Sequence, residues 1–144
     1  MTSRIIPETT RRDFLQTTGA VVAASAFAGM NIPNVHAAEN NTINVVLIGC
    51  GGRGTGAASD CLNVKNGPIK LVAMADVFKD RLNISYKSIQ SRFPENVEVP
   101  EDRRFIGFDA YKQAIDCLKP GDVAIMATPP AFRWVQFTYA IEKG

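Results

Sequence analysis

The sequence predicts an α/β fold built on a doubly wound parallel sheet, and two observations support that prediction. Short apolar runs recur at residues 43–48, 70–75 and 122–127, as expected for strands covered on both faces. Segments with apolar residues at helical spacing alternate with those runs. Because strands that alternate with helices indicate successive βαβ units, we expect neighbouring strands to run parallel.

The composition is that of one ordinary globular domain. The chain has 144 residues, of which 46% are hydrophobic and 21% charged, and its formal net charge is +2. This balance gives no reason to expect a nucleic acid or an anionic membrane as partner. Cys50, Cys61 and Cys117 fit no metal spacing and no disulfide framework, so we predict small buried residues and no metal site.

Residues 1–37 predict an export signal. Arg11 and Arg12 precede a mildly apolar run over 19–30, and small residues follow up to Ala37. Paired arginines before such a run are typical of twin-arginine signals, and the run is too short to span a membrane.

The expected cleavage after Ala37 leaves residues 38–144 as the folded domain. The signal predicts the Tat translocase as partner and a periplasmic or secreted location. The twin-arginine route moves folded proteins, so any nucleotide cofactor must be bound before export.

The first predicted strand, 43–48, ends in a run of glycines. Gly49, Gly51 and Gly54 fit the G-x-G-x-x-G spacing that opens a dinucleotide-binding unit. In that motif the first glycine permits a tight turn, the second lets a pyrophosphate approach, and the third lets the helix pack closely. The loop lacks the lysine of a Walker A motif, and Arg53 replaces the glycine of a methyltransferase loop. A glycine turn in another kind of α/β protein stays open.

The first helix is expected to begin near Gly52, and the second strand, 70–75, is closed by Asp76. An acidic residue about 20 positions after the glycines accepts hydrogen bonds from the adenosine ribose and repels a 2′-phosphate, which favours NAD over NADP. The alternative is that Asp76 caps the next helix. The apolar face of the first helix consists of Ala57, Ala58, Cys61 and Leu62.

The middle of the chain predicts a second helix, a polar loop over 94–104, a short strand within 105–108 and a third helix capped by Asp109. The stripe of the second helix consists of Leu82, Tyr86, Ile89 and Phe93. The inward face of the third helix consists of Tyr111, Ala114, Ile115 and Leu118.

The fourth strand, 122–127, ends at Thr128-Pro129-Pro130, which begins the last helix. In a doubly wound sheet, ligands bind in the crevice between the first and fourth strands, so we expect Thr128 and Pro129 to line it. The alternative is a rigid turn without contact to a ligand. One face of the last helix consists of Trp134, Phe137 and Ile141.

Together these motifs resemble the N-terminal NAD(P)-binding Rossmann domain of the Gfo/Idh/MocA oxidoreductases. The resemblance rests on residues 46–54, 75–77, 108–111 and 122–130. It implies that the pyrophosphate is held by Gly49, Gly51, Gly52, Arg53 and Gly54, the ribose by Asp76, and the nicotinamide side by Thr128 and Pro129. Many family members carry a histidine near the position of Arg133.

The resemblance further implies the nucleotide-binding part of an exported oxidoreductase that transfers a hydride to or from a sugar or polyol. The cofactor is expected to be NAD, with NADP as the alternative, and the partner a sugar-like small molecule. A glycoside hydrolase that oxidises its substrate transiently and an inactive nucleotide-binding fragment are the alternative functions, and a homo-oligomer is left open.

The expected fold is incomplete. Four strands are counted where a full dinucleotide domain has about six, and the family's C-terminal α+β substrate domain has no counterpart here. No catalytic residue is assigned, because the one histidine, His36, lies in the leader. Cys50, Tyr111 and Lys143 titrate, but nothing in the sequence marks them as catalytic. We expect one sheet edge and the packing face of the last helix to be bare.

Overall fold

A computed structural model describes residues 41–144, and the predicted leader with its boundary after residue 37 lies outside the described part. Residues 41–144 belong to one compact unit. Its strands are β1 (Ile43–Ile48), β2 (Ile69–Asp76), β3 (Arg104–Ile106) and β4 (Val123–Met126). Its helices are α1 (Gly52–Leu62), α2 (Lys79–Arg92), α3 (Ala110–Ile115) and α4 (Pro130–Lys143), with one 3₁₀ turn at Glu101–Arg103.

The four strands form one all-parallel sheet in the order β3-β2-β1-β4, which confirms the predicted α/β class. Parallel neighbours need a crossover, and each pair of successive strands is joined through a helix. The chain proceeds outward from β1 to β2 and β3 and then returns to the other side of β1 as β4. The strand order therefore reverses between β1 and β4, and the carboxyl ends of all four strands lie on one edge.

Helices cover both faces of the sheet, because alternate residues of a strand point to opposite sides. Val45 and Leu47 of β1 belong to a core cluster that includes side chains of α1 and α2. Val46 and Ile48 belong to a second cluster that includes side chains of α3. All four are at most 2% exposed, which explains why β1 reads as a continuous apolar run.

The predicted apolar stripes of α1 and α2 face the core, but only two residues of each stripe are fully buried. Ala58 and Leu62 are buried, as are Leu82 and Ile89, whereas the other stripe residues are only partly buried. The prediction that all three cysteines are buried is wrong for two of them. Cys50 is buried, but Cys61 lies on the flank of α1 and Cys117 lies beyond the end of α3.

The segment 94–104 contributes to the core, which the prediction of a polar loop missed. Val97 and Val99 are buried. The Leu71 N–H donates to the Asn96 carbonyl at 2.8 Å, and the Glu98 N–H donates to the Leu71 carbonyl at 2.8 Å. Because β3 pairs only with residues 74–76 of β2, this segment covers the earlier part of that edge.

The third helix is shorter than predicted, and Leu118 lies after its end. Ala114 and Ile115 are buried, as the pattern indicated. Asp109 occupies the N-cap position, but its side chain does not cap the helix. Its carboxylate pairs instead with Lys112 Nζ at 2.8 Å, one turn along the helix.

The last helix turns its most apolar side outward. Trp134, Phe137 and Ile141 are 69%, 60% and 63% exposed, so the face expected to be bare is bare. The contact of α4 with the second core cluster is made by the partly buried Tyr139 and Ala140.

Helix α1 approaches the end of β1 so closely that a side chain at Gly54 has no room. A Cβ placed there would lie 1.9 Å from the Gly49 carbonyl oxygen and 3.2 Å from Ala127 Cβ. A Cβ at Gly56, half a turn along the same helix, would have no neighbour within 4 Å. The predicted packing role of the third motif glycine is therefore seen in the structure.

This contrast predicts opposite effects of two identical substitutions in α1. Gly54→Ala should lower the free energy of unfolding by at least about 2 kcal/mol, because the methyl group overlaps backbone. Gly56→Ala should raise it by roughly 0.5–1 kcal/mol, because alanine is the better helix former at an open position. Urea denaturation of both variants beside the parent chain measures the difference, and equal effects would contradict the close packing.

Candidate functional site

A cavity of about 680 Å³ lies at the carboxyl edge of the sheet. Its wall is made by the segments that follow each of the four strands, including the point between β1 and β4 where the strand order reverses. Ligands of doubly wound sheets bind at such a reversal. Six of the eight predicted site residues line the cavity: Gly49, Gly51, Arg53, Asp76, Thr128 and Pro129. Of the other two, Gly54 is buried behind the turn, and Gly52 faces a second cavity between α1 and α2.

Gly49 makes the turn out of β1 in a conformation that only glycine adopts without strain. Its φ is +94°, and a Cβ would lie 2.9 Å from both Ala127 C and Thr128 N. The Gly49 N–H donates to the Ala75 carbonyl at 2.8 Å, and the Ala127 N–H donates to the Ile48 carbonyl at 2.8 Å. The turn is thus held between the ends of β2 and β4.

The backbone after this turn is open toward an incoming ligand. A Cβ at Gly51 or at Gly52 would have no neighbour within 4 Å. Gly51 is the N-cap residue of α1, no side chain caps the helix, and no acidic residue stands in its first turn. The first N–H groups of a helix have no partners within it and carry partial positive charge, so this end suits an anion.

The carboxylate of Asp76 ties the glycine turn to the end of β2. Its Oδ2 accepts from the Cys50 N–H at 2.6 Å, and its Oδ1 accepts from the Phe78 N–H at 2.8 Å. The N-cap residue of α2 is Phe78, so the alternative that Asp76 is the helix cap is wrong. Each carboxylate oxygen has a further lone pair, and the half-buried side chain lines the cavity, so it can also accept from a hydroxyl group.

Thr128 and Pro129 form a braced turn, and both residues line the cavity as expected. The Thr128 Oγ1 donates to Gln136 Oε1 at 2.7 Å. The exposed Arg133 donates from Nε to the Thr128 carbonyl at 2.6 Å. Arg133 also lines the cavity, so its guanidinium braces the turn at the cavity wall.

Sequence reasoning missed an aromatic rim around the cavity. Phe78, Phe108 and Phe132 line it and are 56%, 74% and 49% exposed. The guanidinium of Arg81 lies over the Phe78 ring at 5.0 Å. Phe78 and Phe108 come just after β2 and β3. Because residues that follow parallel strands lie at the carboxyl edge of the sheet, their sequence positions could have predicted that they border the cavity. Exposed rings at a cavity mouth suit the stacking of a planar group.

Cys50, Tyr111 and Lys143 are each held by neighbouring residues, and Tyr111 also lines the cavity. Burial raises the pKa of the Cys50 thiol far above its ordinary value, and the nearby Asp76 carboxylate raises it further. The Cys50 Sγ donates to the Ala75 carbonyl at 3.5 Å. Lys143 pairs with Asp116 at 2.7 Å, and Tyr111 packs edge-on against Tyr139 with ring centroids 5.9 Å apart.

No cluster of His, Cys, Asp or Glu side chains within residues 41–144 is arranged to hold a metal ion. The same residues contain no helix that is both long and apolar enough to cross a bilayer.

The comparison with known families concerns the leader. Residues 8–28 match the twin-arginine translocation pathway signal sequence. No match was found among curated proteins. The signal directs the chain to the Tat translocase and across the membrane, to the periplasm or the exterior, as the paired arginines predicted.

The surroundings of Cys50 predict selective thiol chemistry. At about pH 8.5, the ordinary pKa of a free thiol, iodoacetamide should modify Cys61 and Cys117 while leaving Cys50 unmodified, because Cys50 stays protonated and buried. Peptide mass spectrometry of native and urea-unfolded samples measures each site, and all three should react once the chain is unfolded. Rapid native labelling of Cys50 would show that the thiol is accessible and ionised.

Proposed function

We propose that residues 38–144 bind a nicotinamide dinucleotide, NAD in preference to NADP. The observation that supports this most directly is the open backbone at Gly51 and Gly52, at the uncapped start of α1 and beside a cavity at the strand reversal. A pyrophosphate fits that position because the helix end supplies unpaired N–H donors and no Cβ stands in the way. The predicted cofactor residues thus have the donors and the space that the ligand needs.

The other walls of the cavity suit the remaining parts of a dinucleotide. Asp76 stands at the end of β2, where its carboxylate can accept from ribose hydroxyls and repel a 2′-phosphate. Phe78 and Phe108 offer exposed rings beside it for a purine base. Thr128 and Pro129 line the opposite side, next to the glycine turn, where we place the nicotinamide half.

We propose further that the chain is the nucleotide-binding part of an exported oxidoreductase that acts on a sugar or polyol, in line with its resemblance to the Gfo/Idh/MocA proteins. When bound, the dinucleotide supplies a ring that exchanges a hydride with a carbinol carbon. The part played by residues 41–144 is to bind and orient that group. We assign no acid or base among them, since Cys50 stays protonated and Lys143 is paired.

Export constrains this function. The chain carries a twin-arginine signal, and that route moves folded proteins. A cofactor loaded before export must stay bound afterwards, which favours chemistry that restores the cofactor within each cycle.

Gly51→Ala tests the binding mode. Gly51 has a φ of −72° and a ψ of −178°, which alanine adopts without strain, and the added methyl group meets open space in the free protein. The variant should therefore keep its melting temperature and lose at least about tenfold in NAD affinity, or 1.4 kcal/mol, because the methyl group occupies the phosphate position. Isothermal titration calorimetry on the full chain measures the affinity, with Gly56→Ala as the matched control. Unchanged NAD binding by Gly51→Ala would refute the proposed mode.

Asp76→Asn tests the preference for NAD. The substitution removes the negative charge and one backbone contact, so binding of both dinucleotides weakens through the loosened turn. The ratio of the NADP to the NAD dissociation constant should nevertheless fall by about tenfold, because the repulsion of the 2′-phosphate is lost. Asp80→Asn, in the exposed first turn of α2, is the control for a nearby charge that does not line the cavity. If the binding of NAD and NADP weakened equally, Asp76 would have only its hydrogen bonds within the protein and no role in the choice between the two ligands.

A further inference from the structure

Gln136 is an unusual residue for its position. It is the only buried residue of α4, at 6% exposure, whereas most of the large apolar side chains of that helix are exposed. Within residues 41–144 the other buried polar residues are two serines, Ser59 and Ser85, which line the second cavity between α1 and α2. Burying a carboxamide is unfavourable unless both of its polar ends find partners, and an apolar side chain would pack there without that demand.

Only one end of the carboxamide is satisfied by the described residues. Gln136 Oε1 accepts from Thr128 Oγ1 at 2.7 Å, whereas no described residue accepts from Nε2. No fully buried side-chain nitrogen or oxygen in residues 41–144 lacks a partner. Gln136 is one of the residues that line the 680 Å³ cavity, so its carboxamide borders the space open to a ligand.

The position of Gln136 relative to Gly49 and Asp76 defines which part of a ligand it can meet. Its partner Thr128 follows β4, and a Cβ at Gly49 would lie 2.9 Å from the Thr128 nitrogen. Asp76 is the last residue of β2, which lies on the other side of β1. A group beside Thr128 therefore lies across the glycine turn from the ribose position assigned to Asp76.

We propose that Gln136 is a positioning residue whose Nε2 donates a hydrogen bond to an oxygen on the nicotinamide half of the bound dinucleotide. The hydrogen bond with Thr128 fixes the orientation of the carboxamide, so that the amide nitrogen faces the cavity. This inference rests on the proposed function, and it assigns a donor to the side of the cleft where the sequence predicted only Thr128 and Pro129.

The test compares Gln136→Glu with the parent chain, using NAD and AMP as ligands. Glutamate keeps the shape of glutamine and an acceptor for Thr128, but its ionised form replaces the donor with a negative charge. AMP carries only the half of NAD that is assigned to the Asp76 side. At neutral pH the variant should bind NAD at least about tenfold more weakly than the parent, and it should bind AMP with unchanged affinity.

The pH dependence separates a lost donor from a disturbed fold. Burial raises the pKa of a glutamic acid above its ordinary value of about 4.3, and the protonated group regains a donor. NAD affinity of Gln136→Glu should therefore recover as the pH falls from 7 toward 5, relative to the parent chain at each pH. Gln113→Glu, at an exposed position of α3, is the control that adds the same charge away from the cavity. Gln136→Met, which has no donor at any pH, should show no recovery.

The outcomes distinguish the two proposals. A parent chain that binds neither NAD nor AMP overturns the proposed function and this inference with it. A parent chain that binds NAD, with Gln136→Glu binding equally well or losing NAD and AMP to the same extent at every pH, overturns the role of Gln136 and leaves the dinucleotide site in place.

Discussion

The turn between β1 and α1 must pass between the ends of β2 and β4 with no room for a side chain at its first residue. Gly49 meets this constraint with a positive φ, and its N–H donates to the end of β2. Gly54 meets the matching constraint from the helix side, since α1 lies directly over the Gly49 carbonyl. The central strand, the first helix and the cavity are all positioned by this one contact. Between these two glycines the backbone at Gly51 is open.

Two polar side chains fix the backbone on either side of that turn. Asp76 joins the Cys50 N–H to the start of the segment after β2, and Thr128 joins the end of β4 to Gln136. Each of them contributes to the free protein and also lines the cavity. A site whose donors and acceptors are already held by neighbours needs little rearrangement when a ligand arrives, which favours affinity. The proposed binding roles of Asp76 and Thr128 therefore coincide with structural ones.

Helix α4 is attached to the rest of the domain largely by polar and aromatic contacts. The Tyr139 hydroxyl donates to Asp116 at 2.9 Å, Lys143 pairs with the same carboxylate, and Tyr139 packs against Tyr111. The hydrogen bond from Lys143 lowers the pKa of Asp116. These contacts orient the helix so that Gln136 points inward while Trp134 and Phe137 point outward. The burial of Gln136 is thus a consequence of the contacts that orient α4.

Much of the fold was determined by local sequence patterns. Continuous apolar runs predicted doubly covered strands, and the glycine spacing predicted a tight turn followed by a closely packed helix, because both features depend on residues near one another in the chain. The same rules placed Asp76 and Thr128 at strand ends, and hence at one edge of a parallel sheet. The paired arginines determined the export signal without any tertiary structure.

Only the tertiary structure decided which contacts these residues make. Asp109 follows the rule for a capping residue but pairs with Lys112, and Val97 and Val99 are buried in a segment whose composition is polar. Helical periodicity identified the apolar face of α4 but not which face the sheet would cover, because that depends on contacts with α3. For the same reason, the sequence does not indicate that Gln136 is buried. Its hydrogen bond with Thr128, 8 residues away in the chain, and its place in the cavity wall exist only in the folded arrangement.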